Sequence, residues 1–190
     1  MRRTTEDRIT LGFLAFSLLL AFTLELYFIL HFDDIHRQNH LFADLFSIYA
    51  AGDRSYFGQG DIHFPLALET LHVCVTQLLN ALIAVAVLRG SPYRYPLQLA
   101  VSSYVSYSVV LYFWTAVLDG YAHMPEKTAW GYFIFYAPNL PWLAGNLLLA
   151  WFAFRAVLRR FRTTGPGTGP ASGADPAERV TSRPVGAAGP

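Results

Sequence analysis

Apolar residues along this chain cluster in four segments, each long enough to cross a lipid bilayer. They extend over Ile9 to His31, Phe64 to Leu88, Tyr95 to Leu118 and Trp130 to Leu158, with few polar interruptions. A hydrocarbon core of about 30 Å needs about 20 helical residues, so each segment is predicted to be a transmembrane helix. The pattern therefore predicts an all-α fold, an integral membrane four-helix bundle.

The connection between the first two segments, Phe32 to His63, is the longest. Its apolar spacing favours a short amphipathic helix at the membrane interface, which we expect to cover the mouth of the bundle. The apolar positions of this helix are Leu41, Phe42, Leu45, Ile48 and Tyr49. We therefore divide the chain into an N-terminal segment (residues 1–8), the bundle (residues 9–162) and a C-terminal tail (residues 163–190).

The tail consists mainly of Gly, Pro, Ala, Ser and Thr. It has almost no large apolar residues whose burial would offset the entropy cost of ordering, and it is predicted to be disordered. In the whole chain 54% of residues are hydrophobic, 14% are charged and the formal net charge is +1. This composition favours membrane lipid as the surroundings and excludes nucleic acid as an expected partner.

Arginine and lysine are distributed unevenly around the four segments. Arginines precede the first segment, lie in the second connection and follow the fourth segment, whereas the opposite side carries only Arg37, Arg54 and Lys127. Since short cytoplasmic loops are enriched in these residues, both termini are predicted to be cytoplasmic. The membrane would be the endoplasmic reticulum in a eukaryote and the cytoplasmic membrane in a bacterium.

Two carboxyl groups, Glu25 and Glu69, lie inside predicted transmembrane helices. An ionisable side chain at the bilayer centre costs about 2.5 kcal/mol or more, so it usually faces a cavity or a partner and indicates function. At about 100° per residue, Glu69 shares a helical face with His72, Thr76 and Asn80. The alternative is that these groups only hold helices together through hydrogen bonds, with His72 bonded to a serine of another helix.

The fourth segment presents a second polar face and two helix-breaking residues. Asn139, Trp142 and Asn146 share one face, and Pro138 and Pro141 should kink the helix beside them and free carbonyl groups. Two carboxyls and an imidazole in an apolar cavity can protonate an alkene and remove a proton elsewhere. Aromatic faces would stabilise the intermediate carbocation. These residues predict double-bond isomerisation.

The segments "YAAGDRSY", "LET" around Glu69 and "LQLAVSSYVSYSVVLYFWT" followed by Asp119 and Gly120 carry a family resemblance. From Tyr49 to about Leu158 the chain resembles the EXPERA-domain membrane proteins, a family that includes emopamil-binding protein, a sterol Δ8–Δ7 isomerase, and the sigma-2 receptor. "FYAPNLPWL" and "VLRGSPYRYP" are more similar to the sigma-2 branch. The resemblance implies a sterol or isoprenoid ligand.

By this resemblance Glu25 and Glu69 correspond to the two acids of the isomerase site, and His72 is added as a third catalytic candidate. Family isomerases place a histidine four residues before the first acid, where this chain has Ala21. We therefore expect His72 to supply the imidazole from the neighbouring helix. The expected ligand-binding residues are Asp53, Asn139, Trp142, Tyr107 and Tyr136.

Other functions stay open at this point. The chain is either a sterol or isoprenoid isomerase, a non-catalytic binder of sterols or cationic amphiphilic amines, or a proton-dependent terpenoid cyclase or isomerase. A metal enzyme is disfavoured because His31, His36 and His40 lie in or beside a polar connection and are too few. No cofactor is expected, and a homodimer is left open.

Overall fold

The computed structural model describes residues 3–163, and its regular structure there is helical, with no strand among these residues. Four helices are long and apolar enough to cross a membrane, at Thr5–His31, His63–Leu88, Arg94–Leu118 and Ala129–Arg162. Each contains a predicted segment and differs from it at either end by at most a few residues. The chain is thus an all-helical membrane protein, and the predicted tail beyond Thr163 lies outside the described residues.

We number the helices α1 to α6 along the chain. α1 is Thr5–His31, α2 is Leu41–Tyr49, α3 is His63–Leu88, α4 is Arg94–Leu118, α5 is Ala129–Tyr136 and α6 is Leu140–Thr163. Two short 3₁₀ turns, Ile35–Arg37 and Arg54–Phe57, lie in the first connection. Residues Met1–Val157 form one compact unit, and the described part of the second unit is the end of α6.

The start of α1 is fixed by local hydrogen bonds and an ion pair. The Thr4 side chain accepts a hydrogen bond from the backbone of Asp7, whose carboxylate accepts one from the backbone of Thr4. This reciprocal capping satisfies two backbone donors that a helix start otherwise leaves unpaired. The Asp7 carboxylate also lies 2.7 Å from the guanidinium of Arg94, which joins the starts of α1 and α4.

The interior has two parts of different composition. An aliphatic cluster joins α1, α3, α4 and α6, and an aromatic cluster lies under the long first connection. Large apolar residues such as Leu19, Leu78 and Trp151 remain exposed on the helix surfaces. Such a surface suits lipid and would be unfavourable in water.

Helix α2 confirms the predicted interfacial helix, and the loop after it packs tightly on α5. A side chain at Gly52 would place its Cβ 2.5 Å from the backbone nitrogen of Phe135, which is closer than atoms can approach. Only glycine fits there, so the "YAAGDRSY" loop can lie directly against α5. The loop is thereby held over one end of the bundle.

Both α1 and α3 contain a wider π-helical turn, at Ala21–Glu25 and at His72–Thr76. The two π turns contact each other. A π turn inserts an extra residue into the helix and commonly marks a functional site. Here the turns include Glu25 and His72, so the irregular backbone lies where the sequence predicts chemistry.

The fourth span is broken between α5 and α6, over residues 137–139, as Pro138 and Pro141 predict. The backbone nitrogen of Asn139 bonds to Tyr136, one residue nearer than in a regular helix. The Asn139 side chain then donates to the carbonyl of Phe135, at 2.8 Å. A side chain thus replaces the missing backbone donor inside the membrane, where an unpaired carbonyl is costly.

Candidate functional site

The structure brings the two predicted acids and the predicted histidine together. The Nδ1 atom of His72 on α3 lies 2.6 Å from Oε2 of Glu25 on α1. One carboxylate oxygen each of Glu25 and Glu69 and one ring nitrogen of His72 all lie within 4.8 Å of one another. The alternative in which His72 bonds to a serine is wrong, because its ring nitrogens contact Glu25 and Gln77.

Glu69 is held by a residue of the first connection. The hydroxyl of Tyr56 donates a hydrogen bond to Oε1 of Glu69, at 2.8 Å. Burial, reinforced by the nearby Glu69 carboxyl, raises the pKa of Tyr56 above its ordinary value, so its phenol remains a donor. One oxygen of Glu69 is therefore occupied, and the other is free to hold a proton.

Trp142 on α6 forms the aromatic wall beside this cluster. Its ring meets His72 edge to face at 5.1 Å, and it also packs against Phe13 and Phe16 of α1. A Cβ at Gly145, one turn below, would overlap the ring of Phe13. The close approach of α1 and α6 thus fixes the tryptophan in place.

The cluster opens into two connected pockets. The smaller, about 70 Å³, contains Glu25, Glu69, His72, Asn139 and Trp142 in its lining. The larger, about 300 Å³, shares all of these except His72 and adds mainly apolar side chains from α1, α2 and the α5–α6 break. The additional residues are Leu20, Leu24, Leu45, Phe46, Ile48, Tyr49, Ile134 and Pro138. As expected, α2 covers the cavity that holds the polar groups.

Asp53 does not reach the acid cluster and instead begins a chain of hydrogen bonds towards the cavity. The hydroxyl of Tyr112 donates to Oδ2 of Asp53 and lies 3.4 Å from the hydroxyl of Tyr49. Tyr49 in turn accepts a hydrogen bond from Asn139, at 2.9 Å. Asp53 therefore supports the cavity wall through two tyrosines, and Asn139 lines the cavity directly.

The two tyrosines proposed from sequence lie elsewhere. Tyr107 on α4 is 64% exposed on the helix surface, and Tyr136 bonds to the hydroxyl of Tyr121, at 2.7 Å. Neither lines the two connected pockets. The tyrosines that do line them are Tyr49, Tyr56 and Tyr112. Tyr49 and Tyr56 begin and end the "YAAGDRSY" motif, and Tyr112 lies in "LQLAVSSYVSYSVVLYFWT". Because these tyrosines lie within the motifs that carry the family resemblance, the sequence offered a signal that they belong to the site.

Among the residues that the structure describes, one group has donor atoms close enough together to hold a metal ion. It consists of Glu25, Glu69 and His72. Carboxylate and imidazole groups are both metal ligands, although catalytic zinc sites commonly have more imidazole or thiolate ligands than this set provides. The short contact between His72 and Glu25 shows that a proton between them satisfies the same atoms.

Residues 41–153 match the sequence model of the EXPERA family, the expanded EBP superfamily. This range is more than half of the chain. The chain belongs to the EXPERA family. The match begins at Leu41, so α1 lies before it, and the inclusion of Glu25 in the site rests on the geometry described above.

Three similar curated proteins are each named 3-beta-hydroxysteroid-Delta(8),Delta(7)-isomerase. The protein of Mus musculus is 30% identical over 139 residues, which is 72% of this chain and 59% of the relative. Those of Rattus norvegicus and Cavia porcellus are each 28% identical over 140 residues, 73% of this chain and 60% of the relative. The chain thus spans about 60% of the length of the curated relatives that it matches.

Proposed function

We propose that this EXPERA protein is an intramembrane isomerase that shifts a carbon–carbon double bond in a sterol or related isoprenoid. The observation that carries the proposal is the cluster of Glu25, His72 and Glu69 at the end of an apolar cavity. Acid–base chemistry on an alkene needs a proton donor, a proton acceptor and exclusion of water. The cluster supplies both proton-transfer groups, and the cavity supplies the dry surroundings.

The first step is protonation of the alkene by Glu69. Its Oε1 accepts the hydrogen bond from Tyr56, so the proton is carried by Oε2. In a Δ8 to Δ7 shift the proton adds to C9, and the positive charge forms at C8. The Trp142 ring in the cavity wall stabilises this cation through its π system.

The second step is removal of a proton from the neighbouring carbon, C7, by Glu25. His72 donates its Nδ1 hydrogen to Glu25, and this hydrogen bond keeps the carboxylate oriented until it accepts the proton. The substrate gains one proton and loses one, so no other reactant is consumed. The proton on Glu25 then returns to Glu69. A carboxylate oxygen of Glu25 and one of Glu69 lie within 4.8 Å of each other.

The substrate class follows from the cavity and the relatives. Most side chains that the larger pocket adds are apolar, which suits a flat hydrocarbon body and would not suit a sugar or nucleotide. The relatives are named as isomerases of 3β-hydroxysteroids. A sterol is therefore the first substrate to test, and a cationic amphiphilic amine would occupy the same site as an imitation of the carbocation.

A second candidate function is binding of sterols or cationic amphiphilic amines without turnover, which the sequence resemblance to the sigma-2 receptor implies. The observation that favours it is the fully buried Ala21, at the position where the family resemblance implies a histidine in an isomerase. In that case a carboxylate of Glu25 or Glu69 pairs with a ligand amine. A cyclase or isomerase of another terpenoid is tested by changing the alkene that is supplied.

The deciding experiment is turnover of Δ8-sterols and other isoprenoid alkenes by purified protein in deuterated water. Proton addition from an exchanged carboxyl places deuterium on a product carbon, so mass spectrometry detects the reaction directly. We expect label in the wild type and its loss, by about 100-fold or more, in Glu69→Gln. The matched control is Glu126→Gln, which makes the same change at an exposed loop residue.

Saturable binding of sterol or amine without label would identify a binding protein on an isomerase scaffold. Label that persists in Glu69→Gln would overturn the assignment of Glu69 as the acid. Deuterium incorporation into a non-sterol alkene, but not into sterols, would support the proposed chemistry and change the proposed substrate.

We further propose that both termini face the cytoplasm. The support is the excess of arginine beside the ends of α1, α3 and α6 that would share this side. The cavity under α2 then lies towards the opposite face of the membrane.

A further inference from the structure

A second polar network lies behind His72, on the side away from the cavity. Nε2 of His72 is 3.2 Å from the amide nitrogen of Gln77, which is 3.1 Å from the hydroxyl of Ser17. Asn80 donates to both Ser17 and Gln77, at 3.3 and 3.1 Å. Gln77 and Ser17 are each 1% exposed, so this is a closed interior network between α1 and α3.

The direction of the hydrogen bonds in this network is determined by Gln77. Its carbonyl oxygen accepts a hydrogen bond from Asn80, and its amide nitrogen lies close to Ser17 and His72. An amide NH₂ group can only donate. With the amide in this orientation, Nε2 of His72 accepts from Gln77 and the ring hydrogen lies on Nδ1, which faces Glu25.

We propose that Gln77, held by Ser17 and Asn80, is a positioning residue that keeps His72 in its Nδ1–H tautomer for the isomerase reaction. The inference rests on the proposed function and assigns a role to three residues outside the cavity lining. In this tautomer His72 donates a hydrogen bond to the Glu25 carboxylate. The opposite tautomer would present a lone pair to the carboxylate and repel it.

The same argument separates proton chemistry from metal binding at this cluster. A metal held between Glu25 and His72 would need the lone pair of Nδ1, and Nε2 would then carry the hydrogen. Gln77 presents a donor to Nε2, so two hydrogens would face each other. The polar network therefore favours a proton between Glu25 and His72.

The direct test is ¹⁵N NMR of histidine-labelled protein in lipid nanodiscs, which distinguishes Nδ1–H from Nε2–H in neutral imidazole. The His72 signals are assigned by their absence in His72→Gln. We expect the Nδ1–H form in the wild type and a mixture of tautomers in Gln77→Leu. An Nε2–H wild type, or an unchanged tautomer in Gln77→Leu, overturns the proposal whether or not the protein turns over sterol.

The kinetic test compares deuterium incorporation in the same variants. Gln77→Leu should lower kcat by about 100-fold, the loss caused by a misplaced catalytic group, while KM changes little. Gln98→Leu is the matched control, because Gln98 is 3% exposed and bonds to the Leu149 carbonyl away from the site. Equal losses of kcat in the two variants would show a structural role only and would overturn the proposal.

Ser17→Ala provides a milder variant in case Gln77→Leu does not fold. It removes one support of Gln77 and leaves the contact with His72 in place. We expect a smaller loss of kcat, about tenfold, with part of His72 in the other tautomer. No change in either measurement would contradict the role of Ser17 in orienting Gln77.

Discussion

At the scale of single residues, the imidazole beside Glu25 comes from α3, the neighbouring helix, as the sequence predicts. The family resemblance of the sequence implies a histidine at the position of Ala21 on α1, whereas this chain places His72 on α3. The two positions belong to π turns that contact each other. His72 reaches Glu25 across this contact, and whether an imidazole at position 21 can do the same is tested below.

His72→Gln should reduce isomerisation by about 100-fold or more, because glutamine lacks the imidazole that orients the Glu25 carboxylate. Binding of a cationic amphiphilic amine should remain, since both carboxyl groups are still present. Parallel measurements of deuterium incorporation and amine binding test this. Retained turnover would remove His72 from the mechanism.

A double variant tests whether the two histidine positions are equivalent. His72→Ala alone should be inactive, and addition of Ala21→His should restore part of the turnover because residue 21 lies about one π turn from Glu25. The single variant Ala21→His serves as control, since Ala21 is fully buried and a larger side chain strains the packing. If the double variant stays inactive, the position of the imidazole is specific to α3.

At the scale of helices, three polar residues of the site lie where a helix departs from regular geometry, whereas Glu69 and Trp142 lie in regular α-helix. Glu25 and His72 lie in π turns, and Asn139 lies in the α5–α6 break. Regular helices bond all their backbone groups internally and expose only side chains. The irregular turns let polar side chains and carbonyls meet inside an otherwise apolar bundle.

Asn139→Ala should destabilise the fold through the α5–α6 break. It leaves the Phe135 carbonyl and the Tyr49 hydroxyl without their donor, at a cost of about 1–3 kcal/mol. Thermal unfolding in detergent measures the change. Asn146→Ala is the matched control, because Asn146 bonds to a carbonyl within regular α6, and we expect a smaller shift.

An equal decrease of the unfolding temperature in the two asparagine variants would show that Asn139 contributes to stability only as a buried amide. A larger shift for Asn139→Ala together with reduced sterol binding would connect the break to the cavity.

At the scale of the whole molecule, the charges outside the bilayer predict its orientation. The connection between α3 and α4 carries Arg89 and Arg94, and the α4–α5 connection carries Lys127 with Glu126 and Asp119. Positive residues in short loops stay on the cytoplasmic side. The α3–α4 connection should therefore be cytoplasmic, and the α4–α5 connection should face the opposite side.

Cysteine labelling tests this orientation. Cys74, the single cysteine, is replaced by serine, and new cysteines are introduced separately at Ser91 and Glu126. In right-side-out bacterial vesicles, an impermeant maleimide should label Glu126→Cys directly and Ser91→Cys only after the vesicles are opened. The reverse pattern would place both termini outside the cytoplasm.

Much of the architecture could be predicted because it depends on chain-local properties. The length of each apolar segment determines a membrane-spanning helix, and Pro138 and Pro141 determine the break in the last one. The stripe of Glu69, His72, Thr76 and Asn80 follows from helical periodicity. These features need no knowledge of which helices are neighbours.

The pairing of side chains depended on the tertiary structure. The contacts of His72 with Glu25 and of Gln77 with Ser17 join residues more than forty positions apart, and the π turns change which residues face inward. Residue type alone favours Tyr107 and Tyr136 as ligand contacts, whereas in the structure both lie outside the two pockets. The order of amino acids is enough to specify which helices form and which polar groups they carry into the membrane. Only the packing of those helices decided which groups meet, because hydrogen bonds require ångström distances that periodicity along one helix does not specify.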